Sequence, residues 1–201
     1  MFKRSLLRVI TLTRSSLSST SSLSTSSLSH VDASKSLPCM VDVSRKEDTL
    51  RTAEARAYIT LPAEAFSLIN CNHPSNDSSS NRKVEINSAK GPVFSTAIIA
   101  GTMAAKKTSD IIPFCHTISL SHCGITIDID DQIDRTLQIN CKVKTFNKTG
   151  VEMEALVGAS TTALCIYDML KAISHDIVIS NIHLINKSGG KRNVKDNKQI
   201  D

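Results

Sequence analysis

The stretch 148–171, KTGVEMEALVGASTTALCIYDMLK, constrains the fold more than any other, because it reads as one long helix that neighbours can approach closely. Thr149 stands three residues before Glu152, the T-x-x-E spacing in which two side chains satisfy each other's unpaired amides at a helix start. The helix is therefore expected to begin at Thr149. Val151, Ala155, Ala159, Leu164, Ile166 and Leu170 supply an apolar stripe, while Ala155, Gly158, Ala159, Ser160 and Ala163 leave room for another element. At the far end Asp168 and Lys171 are three apart and so share a helix face.

The rest of the chain falls into order around that helix. Residues 54–61, EARAYITL, alternate as a strand does, and Pro62 closes them. The stretch 70–89 is crowded with Asn, Ser and Pro and reads as a long loop, a surface insertion or flap. Residues 93–107 place Phe94, Ala97, Ile98, Gly101, Ala104 and Ala105 at helical spacing and end in Lys106-Lys107, where cations suit the helix dipole. Ile125, Ile127 and Ile129 alternate with polar residues, as do Leu137, Ile139, Cys141 and Val143, giving two half-buried strands joined by a polar turn at 130–135. After the long helix, 176–186 closes the domain with Ile177, Ile179, Ile182 and Leu184. The expected fold is α+β and ferredoxin-like, βαββαβ, an antiparallel sheet with both helices on one face. The other sheet face is left uncovered, so self-association through it is expected.

The ends differ in composition. Residues 1–30 hold Lys3, Arg4, Arg8 and Arg14, no acidic residue and eleven serines. On a helix Phe2, Leu6, Val9 and Ile10 share a face, the pattern of a mitochondrial or plastid transit peptide. The alternative is a low-complexity tail with no address. Residues 31–53 read as linker and N-terminal arm, 54–191 as the main folded domain, and 192–201 as a flexible tail. No apolar run reaches 18 residues, so no membrane span is expected. A net charge of +5 with 3% aromatics does not fit a nucleic-acid binder, which concentrates its cations beside aromatics. The six cysteines form no C-x-x-C pair. Cys115-His116 and His122-Cys123 suggest zinc, but adjacent strand residues point to opposite faces, so no metal site is expected.

Three stretches place ionisable groups where a core has no need of them. These are IIPFCH at 111–116, ending in His116; Glu152-Met153-Glu154, whose carboxylates point about 200° apart on a helix; and Asp168 with Lys171, where a carboxylate can set an amine's protonation state. Lys90 beside Gly91, the pair Lys106 and Lys107, and Lys187 before Ser188-Gly189-Gly190 suit an anionic phosphate ligand. Each has an ordinary reading too: a surface ion pair, a hydrogen-bonded core histidine, a capping glutamate, a solvated Arg51.

Together, MVDVSRKEDTLR, KGPVFSTAIIAGTMAAKKTSDIIPFCH, KTGVEMEAL, IYDMLKA and KSGGK, in this order from Met40 to Lys191, resemble the MoaC family, the cyclic pyranopterin monophosphate synthases of molybdenum cofactor biosynthesis. The resemblance implies a lyase that turns 3′,8-cyclo-7,8-dihydroguanosine 5′-triphosphate into cyclic pyranopterin monophosphate and pyrophosphate, without a cofactor. It implies a homohexamer, a trimer of dimers with sites at an interface, and transient contact with the radical GTP cyclase that makes the substrate. The location implied is the mitochondrial matrix. Asp168 then corresponds to the acidic catalytic residue, and Lys171 and Lys90 to catalytic lysines. Phe114, Cys115, His116, Glu152, Met153 and Glu154 correspond to substrate-contacting positions, and Lys106, Lys187 and Arg51 to residues holding the triphosphate or shaping the pocket. The alternative is a non-catalytic ferredoxin-like module that binds a nucleotide and regulates a partner. The chain departs from the family's usual pattern at Phe114 and Leu170, where Leu and Cys are common, in the long 70–89 stretch, and at Arg192-Asn193-Val194, where Ser-Gly and an aromatic are usual.

Overall fold

Ala53, Ala55, Ala57 and Ile59 are all buried and alternate with partly exposed Thr52, Glu54 and Arg56, so this segment extends with one face in the core. The computed structural model describes residues 31–32, 37–72, 83–190 and 192–195. The expected presequence at 1–30, the middle of the 70–89 stretch and the end of the tail lie outside the described residues.

The main elements are β1 (Thr49–Thr60), α1 (Val93–Lys106), β2 (His122–Ile129), β3 (Thr136–Asn147), α2 (Glu152–Leu170), β4 (Val178–Ser188) and a short β5 (Val194–Lys195). They form a mixed α/β domain with one antiparallel sheet in the order β5-β4-β1-β3-β2. Pairing of β1 with β3 runs unbroken from Thr49 opposite Asn147 to Thr60 opposite Thr136. β1 thus begins earlier than position 54. Arg51 occupies an inward position in line with Ala53 while Leu50 is exposed, which hides the alternation from the sequence.

Leu137, Ile139, Cys141 and Val143 of β3 and Ile125 and Ile127 of β2 are buried, as the alternation requires. β4 keeps the expected apolar residues but changes phase. Asn181 has φ 49 and the pairing with β1 shifts between Ser180 and His183, so Ile179 and Leu184 pack on the core while Ile182 is exposed.

Helices α1 and α2 meet through small residues. A Cβ on Gly101 would lie 2.7 Å from the Gly158 carbonyl oxygen and 2.8 Å from Ile125 Cδ1, and one on Gly158 would lie 2.6 Å from Cys141 Sγ. Backbone therefore touches backbone at this crossing, and at Gly158 only the Cys141 side chain lies between α2 and β3. A larger residue at either glycine would force the layers apart. Leu164, expected in the buried stripe, is exposed instead. The buried face of α2 runs through Ala155, Ala159, Thr162, Ala163, Ile166 and Leu170, and Leu164 follows Ala163 by about 100° of helix rotation.

Two local expectations need correction. Among the described residues of 70–89, Asn70–Asn72 pairs with Lys83–Glu85, and Asn87–Ser88 pairs with Gly91–Pro92. The described residues leading into α1 therefore form two short paired segments, and Glu85 in the first of them caps the helix. Glu85 accepts hydrogen bonds from the Phe94 amide at 2.8 Å, the Ser95 amide at 3.1 Å and the Ser95 hydroxyl at 2.7 Å. The second correction concerns α2, which starts at Glu152 with Val151 before it and no side-chain cap. The Thr149–Glu152 capping box does not form because the Glu152 carboxylate is taken by Lys187.

The middle of the uncovered sheet face is polar. Glu54 pairs with Lys142 at 3.9 Å across β1 and β3, and Arg56 donates to Asn140 at 2.8 Å and lies over the Tyr58 ring. Large exposed apolar side chains stand at one end of that face, where Leu50 lies opposite Phe146 across β1 and β3, and on the helices at Ile99, Met103 and Leu164. Among the described residues no helix is long and apolar enough to cross a membrane.

Candidate active site at the two ends of helix α2

The N-terminal end of α2 is enclosed because four separate segments converge on it. The arm before β1, the 114–116 turn, the 148–150 loop and the end of β4 surround an open pocket of about 460 Å³. The arm is held by its own backbone: His116 Nε2 lies 2.8 Å from the Val41 carbonyl, and Lys148 Nζ donates to the Ser44 carbonyl at 3.0 Å. A carbonyl only accepts, so the proton of His116 sits on Nε2. Arg51 reaches in from β1 and is fixed by Nε to the Asn147 carbonyl and Nη2 to the Lys148 carbonyl, both 3.3 Å.

The two glutamates have different environments. Glu152 forms a 2.7 Å ion pair with Lys187 at the end of β4. Glu154 is 4% exposed. Burial, with a smaller push from the Glu152 charge, raises its pKa to about 7 against the opposing effect of a backbone hydrogen bond. Both protonation states of Glu154 are therefore populated near neutrality, which suits a group that gives or takes a proton. Beside it, burial and then the Glu154 charge push the Cys115 thiol up, so Cys115 is a neutral wall rather than a nucleophile.

The C-terminal end of α2 is open and ionic. Lys171 Nζ lies 2.7 Å from Asp168 Oδ1, and Lys90 Nζ lies 3.5 Å from Oδ2 while donating to the Asp168 carbonyl at 3.2 Å. Lys90 is delivered by the hairpin that precedes α1, where its amide donates to Ser88 Oγ at 3.1 Å. The hydrogen bond and charge of Lys171, then the charge of Lys90, hold Asp168 below the usual carboxylate range. Asp168 in return raises the pKa of Lys171. In the single chain Lys171 is thus an ammonium, a proton donor and charge stabiliser rather than a base.

The expected site residues accordingly fall into two groups. Arg51, Phe114, Cys115, His116, Glu152, Met153, Glu154 and Lys187 all line the N-terminal pocket, and Lys90, Asp168 and Lys171 form the C-terminal cluster. Lys106 joins neither; it lies beside Cys123 at the start of β2. The pocket also contains Lys46, Lys148 and Arg192, which the sequence reading did not single out. Lys46 and Lys148 flank recognised motifs, a signal that was present, whereas Arg192 was read as part of the tail.

Residues 40–190 match the MoaC family. The chain is 48% identical over 173 residues to the Dictyostelium discoideum protein named molybdenum cofactor biosynthesis protein 1, covering 84% of this chain and 27% of that one. It is 42% identical over 167 residues to the cyclic pyranopterin monophosphate synthase of Xanthomonas oryzae, covering 83% of this chain and 92% of the relative. With the Staphylococcus carnosus protein of the same name it shares 46% identity over 152 residues, covering 76% of this chain and 86% of the relative.

Proposed function

The chain belongs to the MoaC family, and on that premise we propose that it converts 3′,8-cyclo-7,8-dihydroguanosine 5′-triphosphate to cyclic pyranopterin monophosphate with release of pyrophosphate. This is a lyase reaction in molybdenum cofactor biosynthesis. The observation that carries the reading is the meeting of Lys90 and Lys171 on the single carboxylate of Asp168, at 3.5 and 2.7 Å. A regulatory module that only bound a nucleotide would need cations for its phosphates, but no carboxylate shared between two amines.

The chemistry divides between the two groups of residues. Rearranging a guanine-derived ring into a pterin requires protons to be placed and removed at several atoms, the work assigned to Lys171, Asp168 and Lys90, with Glu154 titrating near 7. Closing a cyclic phosphate while pyrophosphate leaves builds negative charge, which Arg51 and Lys187 stabilise. His116, Phe114, Cys115 and Met153 shape the pocket around the heterocycle. Lys106 lies outside both groups and reaches the substrate only from another copy.

Glu154 and Asp168 are fourteen residues apart on α2, roughly 20 Å at about 1.5 Å per residue. One small substrate does not readily bridge that span, so each site is built from the Glu154 end of one copy and the Asp168 end of another. Exposed Ile99, Met103 and Leu164 on the helices support association, in the assembly proposed here as a homohexamer, a trimer of dimers. Residues 1–30 direct the chain to the mitochondrial matrix, where it meets the radical GTP cyclase transiently. A reporter fused to residues 1–30 that stays cytosolic contradicts the address. The activity is tested by incubating purified protein with the cyclic dihydro-GTP substrate and measuring pyrophosphate. Release at a rate comparable to a bacterial synthase run in parallel is expected, and none beside an active control overturns the reading.

A further inference from the structure

The pocket at the N-terminal end of α2 gathers five cations, Lys46, Arg51, Lys148, Lys187 and Arg192. Three are already engaged by the protein: Lys187 with Glu152, Lys148 with the Ser44 carbonyl, and Arg51 with the carbonyls of Asn147 and Lys148. Among the described residues Arg192 has no such partner. It is nonetheless held at the pocket rather than trailing from it. Val194–Lys195 pairs with Asn186–Lys187, so Gly189, Gly190, Arg192 and Asn193 lie in the turn of a hairpin.

Two glycines press that turn onto β1. Gly189 has φ 87, and a Cβ there would run into the Leu50 carbonyl oxygen; a Cβ on Gly190 would lie 2.8 Å from Arg51 Nη1. The turn therefore passes directly against the guanidinium of Arg51, and Arg192 lines the same pocket. Two guanidinium groups lining one pocket, with the Glu152 carboxylate already paired with Lys187, suit an anionic ligand.

We propose that Arg192 is a substrate-positioning residue that, together with Arg51, binds the terminal phosphates of the nucleotide, the part that leaves as pyrophosphate. This deepens the reading above and rests on it. An arginine suits the task because its planar fork holds two phosphate oxygens at once, whereas a lysine presents a point charge. Being exposed, Arg192 supports neither core nor sheet pairing through its side chain, so its replacement tests binding without testing folding.

The experiment is calorimetric titration of the full chain with inorganic pyrophosphate and, separately, with guanosine, for wild type, Arg192→Gln and Arg192→Lys. Arg192→Gln is expected to weaken pyrophosphate binding about tenfold, the size of one charge-assisted contact, and to leave guanosine binding within about twofold. Arg192→Lys is expected to recover part of the loss, and in turnover the Gln variant should show its defect mainly in KM. Equal pyrophosphate affinity in wild type and Arg192→Gln overturns the role of Arg192 while leaving the proposed reaction standing. Wild-type protein that binds no pyrophosphate overturns the pocket as the phosphate end of the site, and Arg192 with it.

Discussion

The two ends of helix α2 solve opposite problems. At its start, Glu154 is withdrawn from water and its acid raised to about 7, inside a pocket closed by four segments distant in sequence. At its finish, Asp168 stays in solvent between two lysines and its acid is lowered. The same functional group, a carboxyl, becomes a group poised to exchange protons at one end and a fixed anion at the other. What separates them is environment: burial dominates the first, and hydrogen-bonded charge the second.

The largest effect is expected at the open end. Asp168→Ala and Lys171→Ala should each lower turnover by about a thousandfold, the scale of a lost proton-transfer group. Because both side chains are half-exposed, melting temperature and size-exclusion profile should stay at wild-type values. Turnover near wild type in either variant removes these residues from the site.

At the buried end the signature is pH dependence. The folded pKa of Glu154 lies above the ordinary 4.5, so the folded chain holds this proton more tightly than the unfolded chain does. Stability from that proton is full below about 4.5 and is lost as pH rises through about 7. Glu154→Gln carries no such penalty, so its melting temperature relative to wild type should be higher at pH 8 than at pH 5. A difference that does not change with pH contradicts the assignment.

The smallest effect connects the hairpin to the open end. Removing the carboxylate that caps α1, by Glu85→Ala, should cost about 1–2 kcal/mol, read as a drop of a few degrees in melting temperature. Its hydrogen bonds outweigh the burial that opposes ionisation and hold its pKa below the usual 4.5. That stabilisation is present above pH 4.5 and fades as pH falls through the lowered value, so wild type and variant should converge in acid. The adjoining hairpin at 87–92 carries Lys90, so turnover should fall with stability; an unchanged melting temperature at pH 7 rules out the cap.

Much of this was legible in the residues. Strict alternation at 137–143 and helical spacing at 94–105 reported the elements directly, because one face of each is buried. The small residues at Gly158 and Ala159 reported a close approach to α2. The start of α2 was misread because Thr149 and Glu152 have the right spacing for a cap, and sequence gives no sign that Lys187, thirty-five residues on, claims the carboxylate. The capping of α1 by Glu85 was missed for a related reason: the carboxylate arrives across a hairpin whose polar residues look like loop. Expected residues that line the pocket lie where motifs are dense, whereas Arg192 reaches it through a turn set by two glycines and a two-residue strand, geometry that composition does not carry.

The central claim is that the two ends of α2 act in one site contributed by different copies. Lys171→Ala and His116→Ala, each first assayed alone and expected to be inactive, are to be unfolded together in equal amounts, refolded, and assayed for pyrophosphate release, with mixed oligomers verified by native mass spectrometry. A site shared across a symmetric interface predicts recovery of about a quarter of wild-type activity, since half of the pairs are mixed and each holds one intact site. A mixture that contains both variants in one oligomer yet stays as inactive as its parents contradicts the account.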